Sequence, residues 1–204
     1  MGLRESKKLA TRAALSWAAI RLVVERGYDA VLVEDIAGAA GVSPRTFNNY
    51  FSGKAEAVAS RHLDRCLRIA DGLGERPAAE PLWEAIIQAV VPEFTPGPEV
   101  TAHPRPDREA WVAGLRLMLA VPAVQAETLR AAASAETAVA AAVGDRTGTN
   151  PATDMYPKLV AAAVTAAINV ASQHYYVGGG ADRGQIGDLL VDALRQVSAG
   201  LPPP

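Results

Sequence analysis

The chain has 204 residues, of which 50% are hydrophobic and 21% are charged. Such a balance excludes a disordered or fibrous protein and is typical of a globular chain with one or two domains. Alanine occurs 41 times and aromatic residues 11 times. Because alanine favours helices, whereas aromatic and β-branched residues favour strands, the composition argues against an all-β fold.

The net charge of −2 conceals a difference between the two ends of the chain. Residues 1–54 contain eight Lys or Arg and five Asp or Glu, a net charge of +3, which leaves −5 for the rest. A basic head on an acidic body is typical of a nucleic-acid-binding module joined to a different domain, although some neutral proteins show it by accident.

The chain has a single cysteine, Cys66, which excludes an intramolecular disulfide and a zinc site built from several cysteines. Polar residues interrupt the apolar stretch 10–24, so no secretory signal is expected. The least polar stretch, residues 159–171, is shorter than the roughly 20 residues that cross a bilayer. We therefore expect a cytoplasmic protein without a membrane span.

Helical periodicity accounts for most of the chain. An apolar stripe predicts a first helix over residues 4–27, and that stripe consists of Leu15, Ala19, Leu22 and Val23. Eight more helices are predicted over residues 33–40, 44–51, 54–73, 82–91, 107–119, 123–143, 156–177 and 185–199. The proline-rich stretch 92–106 is predicted to be irregular. These nine helices predict an all-α fold, with a three-helix head (domain 1–53) and a helical-bundle body (domain 54–204).

Residues 33–54 have the spacing of a helix-turn-helix. Gly41 permits a sharp turn, Ser43 is a good N-cap, and Pro44 suits the first position of the next helix. Phe47 and Phe51 are expected to pack that helix onto the head. The sequence therefore predicts a second helix of the motif that is free to enter a major groove.

Polar side chains occupy the outward or sideways positions of this helix, namely Arg45, Thr46, Asn48, Asn49 and Tyr50. Arginine and asparagine can form paired hydrogen bonds with guanine and adenine edges, whereas hydroxyl groups and a lysine ammonium suit phosphate oxygens. The alternative interpretation is a three-helix unit that binds no DNA. Packing alone, however, does not require Arg45, Asn48, Asn49 and Lys54 to cluster on the outward side.

Seven short motifs follow one another in the first quarter of the chain: Ala18-Ala19-Ile20-Arg21-Leu22, Glu25-Arg26-Gly27-Tyr28, Val33-Glu34-Asp35-Ile36-Ala37, Ala40-Gly41-Val42-Ser43, Thr46-Phe47, Tyr50-Phe51 and Lys54. In this order they resemble the head of the TetR family of transcriptional repressors. The resemblance implies a homodimer that binds double-stranded palindromic operator DNA through two heads and is released by a small-molecule effector. By position, it implies phosphate contacts at Thr46, Tyr50 and Lys54, and base-reading positions at Pro44, Arg45, Asn48 and Asn49.

Two positions depart from the family pattern. Leu32 stands where many members carry a threonine that caps the second helix and contacts a phosphate, so this cap and contact are not expected here. Asn48 replaces an aromatic residue that is frequent in the family, which suggests an altered base preference.

The body resembles the family's ligand-binding domain by its number of helices, and residues 116–122 and 156–180 are similar to actinobacterial members related to mycofactocin-system regulators. This resemblance implies a ligand pocket within helices five to seven and a dimer interface formed by the last two helices. Small side chains would allow close helix approach in or near that interface, at Ala161, Ala162, Ala163, Ala166 and Ala167.

Candidate pocket-lining residues in the body are Trp83, Trp111, Leu115, Met118, Met155 and His174. Packing in the core is the alternative role for the aromatic and methionine side chains, and it is the commoner one. Neither a metal site nor a cofactor is predicted.

Enzyme interpretations find little support in the sequence. Residues 178–180 are three glycines without the lysine of a phosphate-binding loop, so they predict a flexible turn. His62 lies one helical turn from Cys66 but lacks the surroundings of a nucleophile. We therefore predict a regulator without catalytic activity, and the alternative is a helical ligand-binding or protein-interaction module with a vestigial helix-turn-helix.

Overall fold

The computed structural model describes residues 3–103, 107–177 and 186–202. Within these ranges the chain forms ten α-helices and one short 3-10 helix, and no strand. The helices are α1 (Leu3–Arg26), α2 (Val33–Ala39), α3 (Pro44–Asn48), α4 (Lys54–Glu75), α5 (Leu82–Val90), the 3-10 helix (Val91–Phe94), α6 (Pro98–Thr101), α7 (Arg108–Leu119), α8 (Pro122–Thr147), α9 (Met155–Val177) and α10 (Ile186–Ser198).

The all-α prediction is confirmed, and each of the nine predicted helices has a counterpart. The expectation of an irregular stretch over residues 92–106 was wrong in part, because it contains most of the 3-10 helix and all of α6. Prolines at the start of both elements explain the difference, since a proline in the first turn needs no N–H partner and has a helical φ. The predicted glycine turn at 178–180, and residues 104–106, 185, 203 and 204, lie outside the described residues.

The chain divides into two compact units. Unit 1 contains Met1–Leu63 and Pro96–Ala132, and unit 2 contains Asp64–Thr95 and Ala133–Pro204. This division differs from the predicted domains 1–53 and 54–204, because α7 and the first turns of α8 pack with the head helices. The long helices α4 and α8 each contribute one end to unit 1 and the other to unit 2.

Unit 1 has a continuous apolar core. Leu15, Ile36 and Phe47 are completely buried in it, and Met118 and Val124 join it from α7 and α8. The backbones of α1 and α7 approach closely at Gly114, where a Cβ atom would overlap the carbonyl oxygen of Val24. The head is therefore a larger packing unit than its three helices.

Unit 2 is built around α9 and α10, and α10 also packs on α5 and the 3-10 helix. Leu190 and Leu194 of α10 are completely buried. Ionic contacts join α4 to the 3-10 helix, where Arg68 Nε donates to Glu93 Oε2 at 2.5 Å and the Arg65 guanidinium lies 3.9 Å from the centre of the Phe94 ring.

Helix α9 is apolar along most of its length. By length and composition its segment Met155–Tyr175 could cross a membrane, and it is longer than the apolar stretch 159–171 noted in the sequence. The added length comes from flanking residues that carry few charges. Since 44% of that apolar stretch is buried inside the protein, and α9 packs against α10, the core helix of a globular unit accounts for the same pattern.

Candidate nucleic-acid interface

The turn before α3 has the geometry that its residues predict. Gly41 has a φ of +69°, in the left-handed region that favours glycine. The N–H of Val42 donates to the carbonyl oxygen of Ala37 at 2.9 Å, which closes the end of α2. Ser43 Oγ accepts from the N–H of Thr46 at 3.1 Å, and Pro44 occupies the first turn of α3. The predicted N-cap is therefore confirmed.

Helix α3 is shorter than predicted, because its regular part ends at Asn48 rather than at residue 51. The following residues continue the coil through turn hydrogen bonds, including one from the N–H of Phe51 to the carbonyl oxygen of Phe47 at 3.0 Å. Such tightened last turns are common where a helix ends. Asn49 and Tyr50 thus stay close to helical positions although they lie beyond the helix.

The two sides of α3 differ sharply in burial. Phe47 and Phe51 are buried in the core of unit 1. The exposed residues are Pro44, Arg45, Asn48 and Asn49, while Thr46 and Tyr50 are half-buried. The predicted base-reading residues are therefore the exposed ones, and two of the predicted phosphate-binding residues lie at the edge between core and solvent.

Arg12 of α1 supports the end of this element. Its Nη1 donates to the carbonyl oxygen of Tyr50 at 3.2 Å, and its guanidinium carbon lies 4.6 Å from the centre of the Phe51 ring. A cation at the carboxyl end of a helix interacts favourably with the helix dipole and with the last carbonyl groups. Arg12 was not singled out in the sequence, because its partner is 38 residues away.

Lys54 is placed differently from a side chain that is free to bind phosphate. Its Nζ donates to the carbonyl oxygens of Tyr28 at 2.5 Å and Val31 at 2.8 Å, and lies 4.1 Å from the centre of the Tyr28 ring. An ammonium group has three N–H donors, so one is left for another acceptor. The structure thus assigns Lys54 to holding the connection between α1 and α2, and its phosphate contact stays a prediction.

The unusual Leu32 occupies the N-cap position of α2 and makes no side-chain cap. The side chain of Asp35 instead reaches back and accepts from the N–H of Leu32 at 2.9 Å. This is one half of the usual reciprocal cap, so the start of α2 lacks the half that a threonine would supply.

The six predicted pocket residues are divided between the two units. Met118 is buried in the core of unit 1, and Trp111 and Leu115 pack against the same core. Trp83 is half-buried on α5, whereas Met155 and His174 are exposed on α9. For Met118, Trp111 and Leu115, packing in the core explains their position, because α7 belongs to the head unit.

A different part of unit 2 contains a cavity of about 600 Å³. It lies between α4 and α8, and its lining residues are Leu67, Ala70, Asp71, Leu73, Gly74, Arg76, Ala78, Ala138, Ala142, Asp145 and Arg146. Small residues at helical spacing, Ala70 with Gly74 and Ala138 with Ala142, leave the two helices unable to fill the space between them. That spacing is visible in the sequence, but it indicates a cavity only once α4 and α8 are known to face each other.

One end of the cavity is held by arginines. Arg146 donates to the carbonyl oxygens of Arg76, Pro77 and Glu80, and Arg76 donates to both carboxylate oxygens of Glu80. The hydrogen bond from Arg76, together with the charges of Arg76 and Arg146, lowers the pKa of Glu80. These contacts fix the connection between α4 and α5 to the end of α8.

Cys66 is buried in unit 2, and burial raises the pKa of its thiol to about 11. Only the thiolate is an effective nucleophile, so a buried thiol with such a pKa is inert at neutral pH. This burial therefore gives no support to an activated nucleophile and base formed by Cys66 and His62.

Comparison with known proteins agrees with this geometry. Residues 17–59 match the domain described as bacterial regulatory proteins of the tetR family, and residues 80–202 match the MftR C-terminal domain of TetR-type regulators. The chain is 31% identical over 181 residues to the HTH-type transcriptional regulator TcmR of Streptomyces glaucescens. The aligned region covers 86% of this chain and 77% of TcmR.

Solved structures show the same fold. A TetR-family regulator from Rhodococcus sp. aligns with a TM-score of 0.57 at 20% identity and covers 94% of this chain and 98% of its own. The fatty acid degradation regulator FadR from Bacillus halodurans aligns with a TM-score of 0.56 at 16% identity, covering 94% and 96%. With a helix-turn-helix whose polar side is exposed and two matched domains that span most of its length, the chain belongs to the TetR family of transcriptional regulators.

Proposed function

We propose that this regulator is a cytoplasmic homodimer that represses transcription by placing α3 of each subunit in successive major grooves of a palindromic operator. The observation that carries the proposal is the division of α3 and the turn after it into a buried aromatic side and an exposed side with Arg45, Asn48 and Asn49. The exposed side chains have the donors and acceptors that distinguish base pairs in the major groove.

The proposed contacts fall into two groups. Arg45, Asn48 and Asn49 read base edges, and the exposed Pro44 contacts the bases at the start of the helix. The residues proposed to hold the phosphate backbone are Thr46, Tyr50 and Lys54, the last through its remaining N–H. Contacts with phosphates position the protein on any sequence, whereas contacts with bases determine which sequence is bound.

The exposed side of α9 supports dimerisation through the last two helices. Met155, Leu159 and Val170 are each more than 60% exposed, although large apolar side chains are normally covered. Ala162 and Ala166 lie between them on exposed positions of the same helix. A stripe with large apolar residues at its ends and small ones in its middle permits close approach of a second copy.

The cavity between α4 and α8 is the proposed effector site. Helix α4 begins beside the DNA-binding element and contributes its last turns to the cavity. An effector that binds a form whose two α3 helices do not match the groove repeat of roughly 34 Å would release the operator. It can shift this balance only by its difference in affinity for the two forms.

The test begins with selection of bound fragments from random DNA, followed by affinity measurements at several salt concentrations. We expect a palindromic sequence, and an affinity that weakens steeply as salt rises. Arg45→Ala or Asn49→Ala should reduce discrimination at particular bases by about 1–3 kcal/mol. Tyr50→Phe should weaken binding to all sequences alike. Equal binding to every sequence, or none, would favour the vestigial helix-turn-helix.

The dimer is tested by solution mass. Leu159→Glu on α9 should yield monomers, because a carboxylate would be buried in the interface. Leu129→Glu on α8 is the matched control, since Leu129 is also highly exposed but lies in unit 1. Dissociation by both variants or by neither would argue against the proposed interface.

A further inference from the structure

The first two turns of α1 lie outside the core of unit 1. All side chains of residues 4–10 are exposed, and continuous burial begins only at Leu15. Among the described residues, neither Arg4 nor Lys8 has a hydrogen bond or an ion pair that could account for its position. The helix therefore continues beyond its packing partners, and core packing does not explain this extension.

The charge of this extension is positive. Residues 4–10 contain Arg4, Lys7 and Lys8 against one acid, Glu5. The amino end of a helix also carries a partial positive charge, which adds to that of the side chains. The extension thus presents several positive charges to solvent.

Helix α1 is bonded directly to the turn that follows α3. Arg12 donates to the carbonyl oxygen of Tyr50, the residue proposed to hold a phosphate. Lys8 precedes Arg12 by four residues and lies about 40° from it around the helix, at 3.6 residues per turn. Lys8 and Arg4 continue from Arg12 over a length of about 12 Å at a rise of about 1.5 Å per residue.

From these observations we infer that the extension at residues 4–10 is a second DNA-binding element, in which Arg4 and Lys8 contact phosphates next to those held by Tyr50. A duplex carries one negative charge for about every 1.7 Å of its axis, so basic side chains beside α3 would lie close to several phosphates. The contact is electrostatic and independent of base sequence. This inference rests on the proposed DNA-binding function.

The test compares the full-length wild type with Arg4→Gln/Lys8→Gln on operator DNA and on a scrambled duplex, from about 50 to about 200 mM salt. Each lost phosphate contact lowers the slope of log affinity against log salt by about 0.9. The proposed homodimer loses two contacts in each subunit, so the double variant should lose between about three and four units of slope. The ratio of the variant's dissociation constant to that of the wild type should accordingly fall by about 150-fold from the low to the high salt concentration. The ratio should be the same on both duplexes.

The control is Arg116→Gln/Arg130→Gln, which removes the same charge from exposed residues of α7 and α8. A second control, Arg4→Lys/Lys8→Arg, keeps the charge and should bind like the wild type. Thermal unfolding should be unchanged in all variants, because the substituted side chains are exposed.

Two results would overturn the inference while leaving the proposed function intact. One is an unchanged salt slope in Arg4→Gln/Lys8→Gln, or a loss equal to that of the Arg116 and Arg130 control. The other is a loss confined to the operator, which would indicate base reading. If the wild type itself shows no sequence preference, the proposed function fails first and the inference fails with it.

Discussion

Units 1 and 2 use helices for different purposes. In unit 1 the proposed base-reading residues are exposed, and the element that carries them is anchored by two buried side chains, Phe47 and Phe51. In unit 2 the proposed effector site is the cavity between α4 and α8, and the proposed dimer interface is the exposed apolar side of α9. A binding surface is formed by the residues that are present, whereas a cavity is formed by side chains that are too short to fill it.

This contrast affects how each unit can be interpreted. The residue types of Arg45 and Asn49 by themselves indicate base contacts, since their hydrogen-bond donors and acceptors suit particular base edges. An alanine such as Ala138 or Ala142 does not indicate a binding site until the helix that faces it is known. The DNA-binding element is therefore defined by its residue types, and the effector site by the packing of two helices.

The largest effect is expected from a pair of substitutions in α3, one at a buried residue needed for folding and one at an exposed residue proposed to read bases. Phe47→Ala removes a completely buried ring and should destabilise unit 1 by about 3–5 kcal/mol, with loss of DNA binding. Asn48→Ala is the matched change at the exposed neighbour and should alter stability by less than about 0.5 kcal/mol while it changes the base preference. Chemical denaturation and DNA binding measure the two effects. Similar stability losses in both variants would contradict the two-sided assignment of α3.

The second prediction compares a close approach in unit 1 with an open position in unit 2. A Cβ atom at Gly114 would overlap the carbonyl oxygen of Val24 and lie 2.6 Å from its Cγ1. Gly114→Ala should therefore force α7 away from α1 and cost about 1–3 kcal/mol.

Gly74→Ala provides the control, because no atom lies within 4 Å of the added methyl group. In a helix this change should stabilise the protein, by up to about 1 kcal/mol. Thermal unfolding would show opposite shifts of the midpoint for the two variants. A destabilisation by Gly74→Ala would indicate that the cavity is closed in solution.

The third prediction concerns the core of unit 2 at alkaline pH. Burial raises the pKa of Cys66 to about 11, so the folded state holds the proton more tightly than the unfolded state, whose solvated thiol keeps its ordinary pKa of 9.0. The resulting stabilisation is complete below the unfolded pKa and is lost as pH rises through that of the folded state.

Denaturation with urea at pH 8 and at about pH 10.5 should therefore show that the wild type loses about 2 kcal/mol more than Cys66→Ala. The alanine variant corrects for lysines and tyrosines that titrate in the same range. Parallel pH dependence in the two proteins would mean that the thiol is open to solvent, and rapid reaction of native Cys66 with a thiol reagent would show the same.

The smallest effect tests the incomplete cap in the head. Leu32 has a backbone φ of −99° and ψ of 161°, which suit an N-cap, but its side chain cannot accept a hydrogen bond. Leu32→Thr should stabilise the head by about 1 kcal/mol. Leu32→Val has a similar branched shape without the hydroxyl and should give no such gain. Equal unfolding midpoints for the two variants would show that the reciprocal bond from Asp35 already suffices.

Much of the DNA-binding element could be derived from residue order. The turn, the Ser43 cap and the buried phenylalanines depend on neighbours within a few residues, where backbone preference and helical periodicity act directly. The end of α3 was less certain, because a helix end depends on which carbonyl groups find partners. Here Arg12, from a distant part of the chain, takes one of them.

The pocket residues were harder to assign for a related reason. Trp111 and Met118 have the character of ligand contacts and also of core residues, and burial alone distinguishes the two roles. Lys54 likewise suits a phosphate by residue type, yet its ammonium group contacts two backbone carbonyls.

Local chemistry along the chain was sufficient to predict nine of the helices and the helix-turn-helix, because caps, turns and apolar periodicity act between residues close in sequence. The family followed from the resemblance of the motifs in the head to those of known regulators. Folding in three dimensions settled the rest: that α7 packs with the head, that Lys54 holds the connection between α1 and α2, and that α4 and α8 leave a partly open cavity between them. These features join residues far apart in the chain, where small differences in side-chain volume decide which surfaces meet and which leave a space.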